Sequence, residues 1–224
     1  ENGSLMLWDC SHALGSVNLQ FDKNNIGLAV GCTYKYGNSG PGAPRWLFVS
    51  TELQKKLHVP IRGWFGVKNQ FAMSQVFEKS ENIRGFQIST PPIIGLRAVK
   101  IGFEMIEEAN MEAIQEKCLK GTDFMISLYD QWLSPLGFKL ATPRERNKRC
   151  GHVIITHPDG AQIAVALRQF KKVFPDYREP NGIRFSFSAL PTSFTEIYDG
   201  FQRLKELVES EQYKTLTLSN RKVT

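Results

Sequence analysis

Lys35 is the residue of this sequence best suited to covalent chemistry. It lies between Tyr34 and Tyr36, at the end of an apolar run and directly before the turn-forming stretch GNSGPGAP. A lysine amine is protonated at neutral pH, but desolvation or a nearby cation lowers its pKa and lets it attack a carbonyl. A lone lysine in a loop is more often simply solvated, so Lys35 needs partners before this chemistry is a strong interpretation.

Asp9 offers one such partner, because it closes the earlier apolar run SLMLWD. The carbonyl that a lysine most often captures is the aldehyde of pyridoxal 5'-phosphate (PLP), whose ring nitrogen needs a carboxylate to stay protonated. Ligands of open α/β sheets sit beyond the carboxyl ends of the strands. If the two runs are parallel neighbours, Asp9 and Lys35 open onto one crevice, and His12 can add a contact from the same turn. A strand-end Asp is also a common helix N-cap, so the pair alone is a weak signal.

The apolar runs 4–9, 26–34 and 45–50 predict three strands. Unbroken runs of this length are typical of strands buried on both faces of a parallel sheet. A short helix is expected over 51–57, with Ser50 or Thr51 as its N-cap. A long loop region follows over 58–90.

Two helices and a second sheet are predicted after this loop. The first helix runs to position 109 and begins at Thr90, which can cap it. The second covers 111–133, carries an apolar stripe interpreted as core, and ends at Pro135 and Gly137. From 138 onwards, the runs FKLATP, HVIITHP and IRFSFSAL predict strands, and GAQIAVALRQF and SFTEIYDGFQRLKELVES predict helices packed on them. The expected fold class is therefore α/β, with the domain boundary placed between 1–136 and 137–224.

Composition narrows the remaining possibilities. The chain has 224 residues, a net charge of +6 and 42% hydrophobic residues, which is enough to bury a core. The basic stretch TPRERNKRC can bind phosphate backbones, but Glu145 interrupts it and a solvated loop is the favoured interpretation. The four cysteines are scattered without zinc-binding spacing, which favours free thiols and no metal site. No run reaches membrane-spanning length, so a cytoplasmic protein without nucleic-acid or membrane partners is expected.

Five separated motifs, in their order, carry a resemblance to a known family. They are LWDCSHALGSVNL, AVGCTYKYGNSGPGAP, GWFG, STPPI and DYREPNGIRFSFSALPTSFTE. Together they resemble kynureninase, a fold-type I PLP-dependent enzyme, over nearly all of this chain. The resemblance implies that 1–136 is the C-terminal part of the PLP-binding large domain and that 137–224 is the small C-terminal α/β domain.

The resemblance also implies a role for each matching residue. Lys35 looks like the Schiff-base lysine, Asp9 the partner of the pyridinium nitrogen, and His12 the active-site histidine of the D-x-S-H-A motif. Tyr34 resembles the tyrosine that touches the phosphate and relays a proton. The remaining matches are Trp64 and Thr90, which reach the phosphate from the neighbouring subunit of a homodimer, and Arg184, which pairs with the substrate α-carboxylate. From the residues alone, two alternatives stay open: Trp64 can be core, and Arg184 can be an ion-pair partner at the surface.

The implied reaction is hydrolysis of the Cβ–Cγ bond of L-kynurenine, or its 3-hydroxy form, in tryptophan degradation and NAD biosynthesis. The products are anthranilate, or its 3-hydroxy form, and L-alanine. Alternatives are a PLP lyase or desulfurase with another amino-acid substrate, and a non-catalytic or split-enzyme partner subunit.

The sequence departs from the family pattern in three ways. Val67 stands where the family usually carries a histidine, and Gly37 is expected to loosen the loop beside Lys35. The front half of the family, which supplies a ring-stacking aromatic and a phosphate-cupping loop, is missing. The chain is therefore expected to need a separate or removed N-terminal half for activity.

Overall fold

The computed structural model describes residues 3–217, and its internal contacts divide the chain into two compact units, Glu1–Glu108 and Ala109–Thr224. The first unit holds a three-stranded sheet in the order β1 (Leu7–Asp9), β2 (Leu28–Cys32), β3 (Arg45–Val49). β1 and β2 are parallel, as predicted, with Asp9 opposite Val30. Asp9 and the residues after Cys32 therefore leave the sheet at the same edge.

β3 runs antiparallel to β2, so the interpretation of all three runs as parallel strands is wrong for β3. The physical reason is the connection, since the Gly- and Pro-rich stretch between the two strands contains no helix. A parallel crossover usually needs a helix to carry the chain back along the sheet, whereas an antiparallel return does not.

The expectation of strands buried on both faces also fails for β1. It is an edge strand of the sheet, and Leu7 and Trp8 are about half exposed, at 55% and 49%. In β2, by contrast, Ala29 and Cys32 are almost fully buried. The sheet therefore has a buried centre and an uncovered apolar edge in this chain.

Two helices follow β3 in the first unit. α1 (Thr51–Lys56) is capped as predicted by Ser50, whose Oγ accepts a hydrogen bond from the Leu53 N–H at 3.4 Å. α2 (Ile93–Ala109) begins three residues after Thr90, so the prediction that Thr90 caps it is wrong. The two prolines that follow Thr90 explain the difference, because a residue that precedes proline avoids helical conformation.

α2 buries little of its apolar surface within this chain. Among its residues only Gly102 and Ile106 are buried. Its exposed apolar side chains are Ile93, Ile94, Leu96, Ile101, Phe103 and Met105. These side chains, called here the α2 apolar face, are each at least 40% exposed to solvent.

The second unit begins with the long helix α3 (Met111–Leu128), which continues through a π turn and a 3-10 turn to Gly137 in the left-handed conformation. The predicted stripe is core, since Ile114, Cys118 and Met125 are buried. α3 packs on the elements that follow it, so the contacts group it with the C-terminal unit, whereas the sequence placed the boundary at 136. The assignment of 1–136 and 137–224 to two domains of a larger fold stays a prediction.

An antiparallel sheet and two helices complete the second unit. Its strands are β4 (Lys139–Leu140), β5 (His152–Thr156), β6 (Asp176–Arg178) and β7 (Gly182–Ser186), in the order β4-β5-β7-β6. Its helices are α4 (Gly160–Ala166) and α5 (Phe194–Glu209), the latter started by a capping box between Ser193 and Glu196. The sequence predicted all of these except β6.

Side chains alternate across this sheet, as the pleat requires. Val153, Ile155, Ile183 and Phe185 are buried and form one face of the core. The other face carries Arg184, which lies opposite Ile154 on one side and Asp176 on the other. Arg184 therefore projects from the face of the sheet that lies opposite the buried core.

Candidate active site

Asp9 lies where β1 ends, and its carboxylate is held by the turn that follows. Its Oδ1 accepts a hydrogen bond from the Ser11 N–H at 2.9 Å. Hydrogen bonds from the side chain and backbone of Ser11, with smaller effects from the charges of Lys35 and His12, hold the pKa of Asp9 below its usual value. The carboxylate is therefore ionised at neutral pH and lies within the electrostatic reach of Lys35.

Lys35 and His12 are in direct contact. The Nζ atom of Lys35 lies 3.1 Å from Nε2 of His12, across a separation of 23 residues. An ammonium group has donors only, so His12 accepts through Nε2 when Lys35 is charged. The turn after β1 and the loop after β2 therefore meet at these two residues, while the crevice expected between Asp9 and Lys35 and the roles of the three residues stay predictions.

Close backbone packing holds these two loops against each other. Gly15 has a φ of +77°, and a Cβ atom there would overlap the carbonyl oxygen of Tyr36. Tyr36 is buried, and its ring centroid lies 6.4 Å from that of His12. The packing of Gly15 on Tyr36 thus fixes the spacing between the histidine and the neighbouring lysine.

Specific contacts hold the turn that carries Lys35. Asn38 adopts a φ of +53° and donates from Nδ2 to the Tyr36 carbonyl at 2.6 Å, so its side chain helps to hold the turn. At Gly37 a Cβ atom would lie 2.5 Å from the Thr33 carbonyl oxygen, so glycine is required by close approach. The structure therefore gives Gly37 a tight packing role, where the sequence suggested a loosened loop.

The other residues expected at the cofactor lie on exposed segments of the first unit. Tyr34 immediately precedes Lys35 and is partly exposed. Trp64 lies in the turn between Gly63 and Gly66. Its ring packs edge-on against that of Phe65, with 4.6 Å between the ring centroids, and remains half exposed. Thr90 is exposed and precedes α2. Such exposure does not fit plain core packing for Trp64.

Arg184 lies in the second unit, on β7, and is engaged in an ion pair. Its Nε donates to Oδ2 of Asp176 at 3.1 Å, and its Nη2 donates to the same oxygen. The ion pair that the sequence left open as an alternative is therefore present. Its partner was not found from the sequence, although the turn EPNG between DYR and IRF is a hairpin signal that places Asp176 opposite Arg184.

The basic stretch 144–149 is neutralised by carboxylates of α3 and its last turn. Arg144 forms two hydrogen bonds with Asp130, and Arg146 and Arg149 both pair with Asp123. The side chain of Arg149 is only 3% exposed, so the favoured interpretation of a solvated loop is wrong for this residue. A stretch whose arginines already hold carboxylates is a poor candidate for phosphate binding.

The cysteines of the chain are free, as expected from their spacing. A hydrogen bond with Cys150, together with burial, raises the pKa of the Cys118 thiol, which makes it a poor nucleophile at neutral pH. Within residues 3–217, His, Cys, Asp and Glu form no cluster that could hold a metal ion. Over the same residues, each helix is too short or too polar to cross a membrane.

Solved structures place this fold among the fold-type I PLP-dependent enzymes. The chain resembles the apo cysteine desulfurase from Thermococcus onnurineus NA1 with a TM-score of 0.76. The similarity covers 93% of this chain and 53% of that chain, at 19% sequence identity. A likeness at this identity shows the architecture, and here the architecture is about half of the larger fold.

Within that class, the chain is similar to the kynureninases. Residues 114–204 match the family model of the kynureninase C-terminal domain. The chain is 38% identical to a kynureninase of Pseudomonas fluorescens over 95% of its own length and 51% of that protein. It is 34% identical to a kynureninase of Burkholderia mallei (strain SAVP1) over 99% of its own length and 53% of that protein. The chain thus spans about half the length of the curated relatives it matches.

Proposed function

We propose that the whole protein containing this chain is a PLP-dependent hydrolase that cleaves the Cβ–Cγ bond of L-kynurenine or 3-hydroxykynurenine. The products are anthranilate, or its 3-hydroxy form, and L-alanine, and the reaction serves tryptophan degradation and NAD biosynthesis. The observation that carries the proposal is the cluster of Asp9, His12 and Lys35 at one edge of the parallel pair β1 and β2. Similarity to kynureninases over nearly all of this chain supports the choice of substrate.

The charged groups of this cluster are the ones that PLP requires of its binding site. A carboxylate held below its usual pKa by Ser11 can pair with a protonated ring nitrogen. The amine of Lys35, which follows the end of the next strand, can reach the cofactor aldehyde. Its contact with His12 holds it in place. When bound, PLP supplies an electron sink that stabilises negative charge on the substrate α-carbon.

Each residue of the chain then has a definable task. Lys35 takes a proton from the substrate α-carbon through Nζ once its amine is free. His12 orients that amine through Nε2, at the 3.1 Å separation of the two nitrogen atoms. Tyr34, next in the chain, is assigned the proton relay and a phosphate contact, and Arg184 is assigned the substrate α-carboxylate.

The overall reaction consumes one water molecule. Water adds to the γ-carbonyl of the substrate, the Cβ–Cγ bond breaks, and the γ-carbon leaves as the carboxylate of anthranilate. The electron pair of the broken bond stays with Cβ, which takes up a proton and becomes the methyl group of alanine. The reaction needs no oxidant or reductant. Its only transfers besides the addition of water are of protons, which Lys35 and Tyr34 are assigned to carry.

We further propose that the site is completed by the part of the family fold that this chain does not span and by a second subunit. The uncovered edge strand β1 and the α2 apolar face support this, because folded monomers seldom leave such surface in water. The exposed positions of Trp64 and Thr90 suit residues that reach the phosphate of the neighbouring subunit in a homodimer.

A labelling experiment tests the proposal on the whole protein. Borohydride reduction in the presence of PLP is expected to attach the cofactor to Lys35, as read by peptide mass spectrometry. Lys35→Ala is expected to abolish both this label and the fluorescence of released anthranilate. Lys23→Ala, which replaces an exposed loop lysine, is the matched control and is expected to leave both signals unchanged.

The possible outcomes separate the candidates. Label at Lys35 with turnover of a different amino acid, and none of kynurenine, indicates a PLP lyase or desulfurase. Absence of label in the whole protein indicates a non-catalytic partner subunit and refutes the enzyme. Label and turnover that need a separately added chain indicate a split enzyme.

A further inference from the structure

We propose that Asp176 is a positioning residue that holds the guanidinium of Arg184 in the orientation required to bind the substrate α-carboxylate. The inference rests on the proposed function, since it concerns the carboxylate of that same substrate. It adds a residue on β6, the strand that the sequence did not reveal, to the machinery of the site.

The strand register builds this contact into the sheet. β6 and β7 are antiparallel, and Asp176 lies directly opposite Arg184. Side chains of directly opposed residues leave the same face of a sheet and stand close together. The hydrogen-bonded pairing of β6 with β7 thus fixes the positions of both residues of the ion pair. An ion pair between two surface loops has no such constraint.

The contact occupies one edge of the guanidinium and leaves the other open. Both hydrogen bonds, from Nε at 3.1 Å and from Nη2, go to the single oxygen Oδ2 of Asp176. An arginine has five N–H donors in a planar fork. Both N–H groups of Nη1 and one of Nη2 therefore remain for a second carboxylate, in the edge that suits two parallel hydrogen bonds.

Burial makes this orientation persistent. The side chain of Arg184 is 14% exposed, whereas that of Arg178, the other arginine beside Asp176, is 52% exposed. A long side chain held in one rotamer loses little further entropy when a ligand binds. Arg184 is therefore prepared for a ligand in a way that its exposed neighbour is not.

The charges on this face leave room for an additional anion. Asp176 is paired with Arg184 and lies 3.5 Å from Nη2 of Arg178, so one carboxylate faces two guanidinium groups. Burial raises the pKa of Asp176, but the hydrogen bond and charge of Arg184, and then those of Arg178, outweigh it and hold the pKa below its usual value. Burial first, and then the charges of Arg184 and Arg178, lower the pKa of His152 on the neighbouring strand. The face therefore keeps a net positive charge that a substrate carboxylate can neutralise.

The test uses the whole PLP-loaded protein and separates substrate binding from chemistry. Asp176→Asn keeps the size of the side chain but removes its charge, and it is expected to raise KM for L-kynurenine about 10-fold, with kcat changed less than about 2-fold. The matched control is Glu179→Gln, which removes an exposed carboxylate three residues away and is expected to leave KM unchanged.

Two further measurements exclude a merely structural role. An inhibitor that has the kynurenine skeleton but lacks the α-carboxylate is expected to bind Asp176→Asn and the wild type equally well. In a background of Arg184→Gln, the Asp176→Asn change is expected to add less than about 2-fold to KM, because the two residues act on one carboxylate. The thermal unfolding midpoint of each variant reports any loss of the fold itself.

The outcomes distinguish this inference from the proposed function. If the wild type cleaves kynurenine and KM is unchanged in Asp176→Asn, the positioning role is overturned and the function stands. Equal weakening of the inhibitor without a carboxylate also overturns the role, because the effect is then not on the carboxylate. If the wild type does not cleave kynurenine at all, the proposed function is overturned and the role falls with it.

Discussion

Replacement of Asp123 by Asn is expected to destabilise the C-terminal unit by about 3 kcal/mol, because it leaves a buried guanidinium without its charged partner. The side chain of Arg149 is 3% exposed and donates to Oδ1 of Asp123 and to Thr122. The hydroxyl of Thr122 remains in the variant, but it is neutral and cannot offset the charge. Because the side chain of Asp123 is itself 35% exposed, the expected cost lies near the lower end of the range for broken buried pairs.

A matched pair in the same part of the unit provides the control. Arg144 makes two hydrogen bonds with Asp130, at 2.8 and 2.6 Å, so its geometry is as good as that of the buried pair. Its side chain is, however, 58% exposed and that of Asp130 is 45% exposed. Exposed pairs contribute between about 0 and 1 kcal/mol, so Asp130→Asn is expected to cost at most about 1 kcal/mol.

Denaturant unfolding of the two variants gives the comparison. Amide hydrogen exchange within α3 reports the C-terminal unit specifically, and thermal unfolding of Asp123→Asn is expected to shift downward by roughly 10 °C. Burial raises the pKa of Asp123, but the hydrogen bonds from Arg146 and Arg149 hold it below the usual 3.8. Its stabilising contribution is therefore present above about pH 4 and is lost as the pH falls through the folded-state pKa.

Equal costs for the two substitutions would refute the reasoning. They would mean that Arg149 reaches water as easily as Arg144 does once its partner is removed. A cost for Asp123→Asn that stays large below the folded-state pKa of Asp123 would refute it as well, because the Asp carboxyl and the Asn amide are then both neutral.

Two further predictions concern pH and packing. Burial holds the pKa of His157 below its usual 6.5, and its Nδ1 accepts a hydrogen bond from the Asp159 N–H at 3.0 Å. The free energy of unfolding is therefore expected to fall as the pH drops below about 6.5, and His157→Gln is expected to reduce this dependence in denaturation curves at pH 5 and pH 8. Gly200→Ala in α5 is expected to raise the thermal midpoint by the equivalent of about 0.5–1 kcal/mol, because its Cβ atom meets nothing within 4 Å. Gly121→Ala in α3 is expected to lower the midpoint, since its Cβ atom would lie 2.6 Å from the ring of Phe187; an increase there would contradict the packing argument.

The meeting of Lys35 and His12 was predictable because it follows from the direction of two neighbouring strands. Apolar runs locate strands, polar residues at their ends locate the edge of the sheet, and parallel pairing brings those ends together. The stripe of α3 was predictable for a similar reason, since helical spacing alone decides which side chains share a face.

The features that the sequence did not reveal depend on contacts between distant residues. β6 is three residues long and polar, so only its pairing with β7 identifies it as a strand. The carboxylate partners of the basic stretch lie on α3 and in the π turn that follows it, more than a dozen residues away, and no local pattern connects them. The role of Ser11 at Asp9 depends on the turn geometry after β1, which composition does not specify.

The free edge of β1 has a practical consequence for anyone who produces this polypeptide. A strand that is paired on one side only and displays Leu7 and Trp8 offers the backbone donors and acceptors of its other edge to any other strand, including the same segment of a second molecule. Synthesis of the chain alone thus favours self-association in the cell, whereas co-expression with the proposed complement is expected to give that edge a neighbour first. Yield of soluble material then reports on whether a trial complement is the correct one, before any catalytic assay is run.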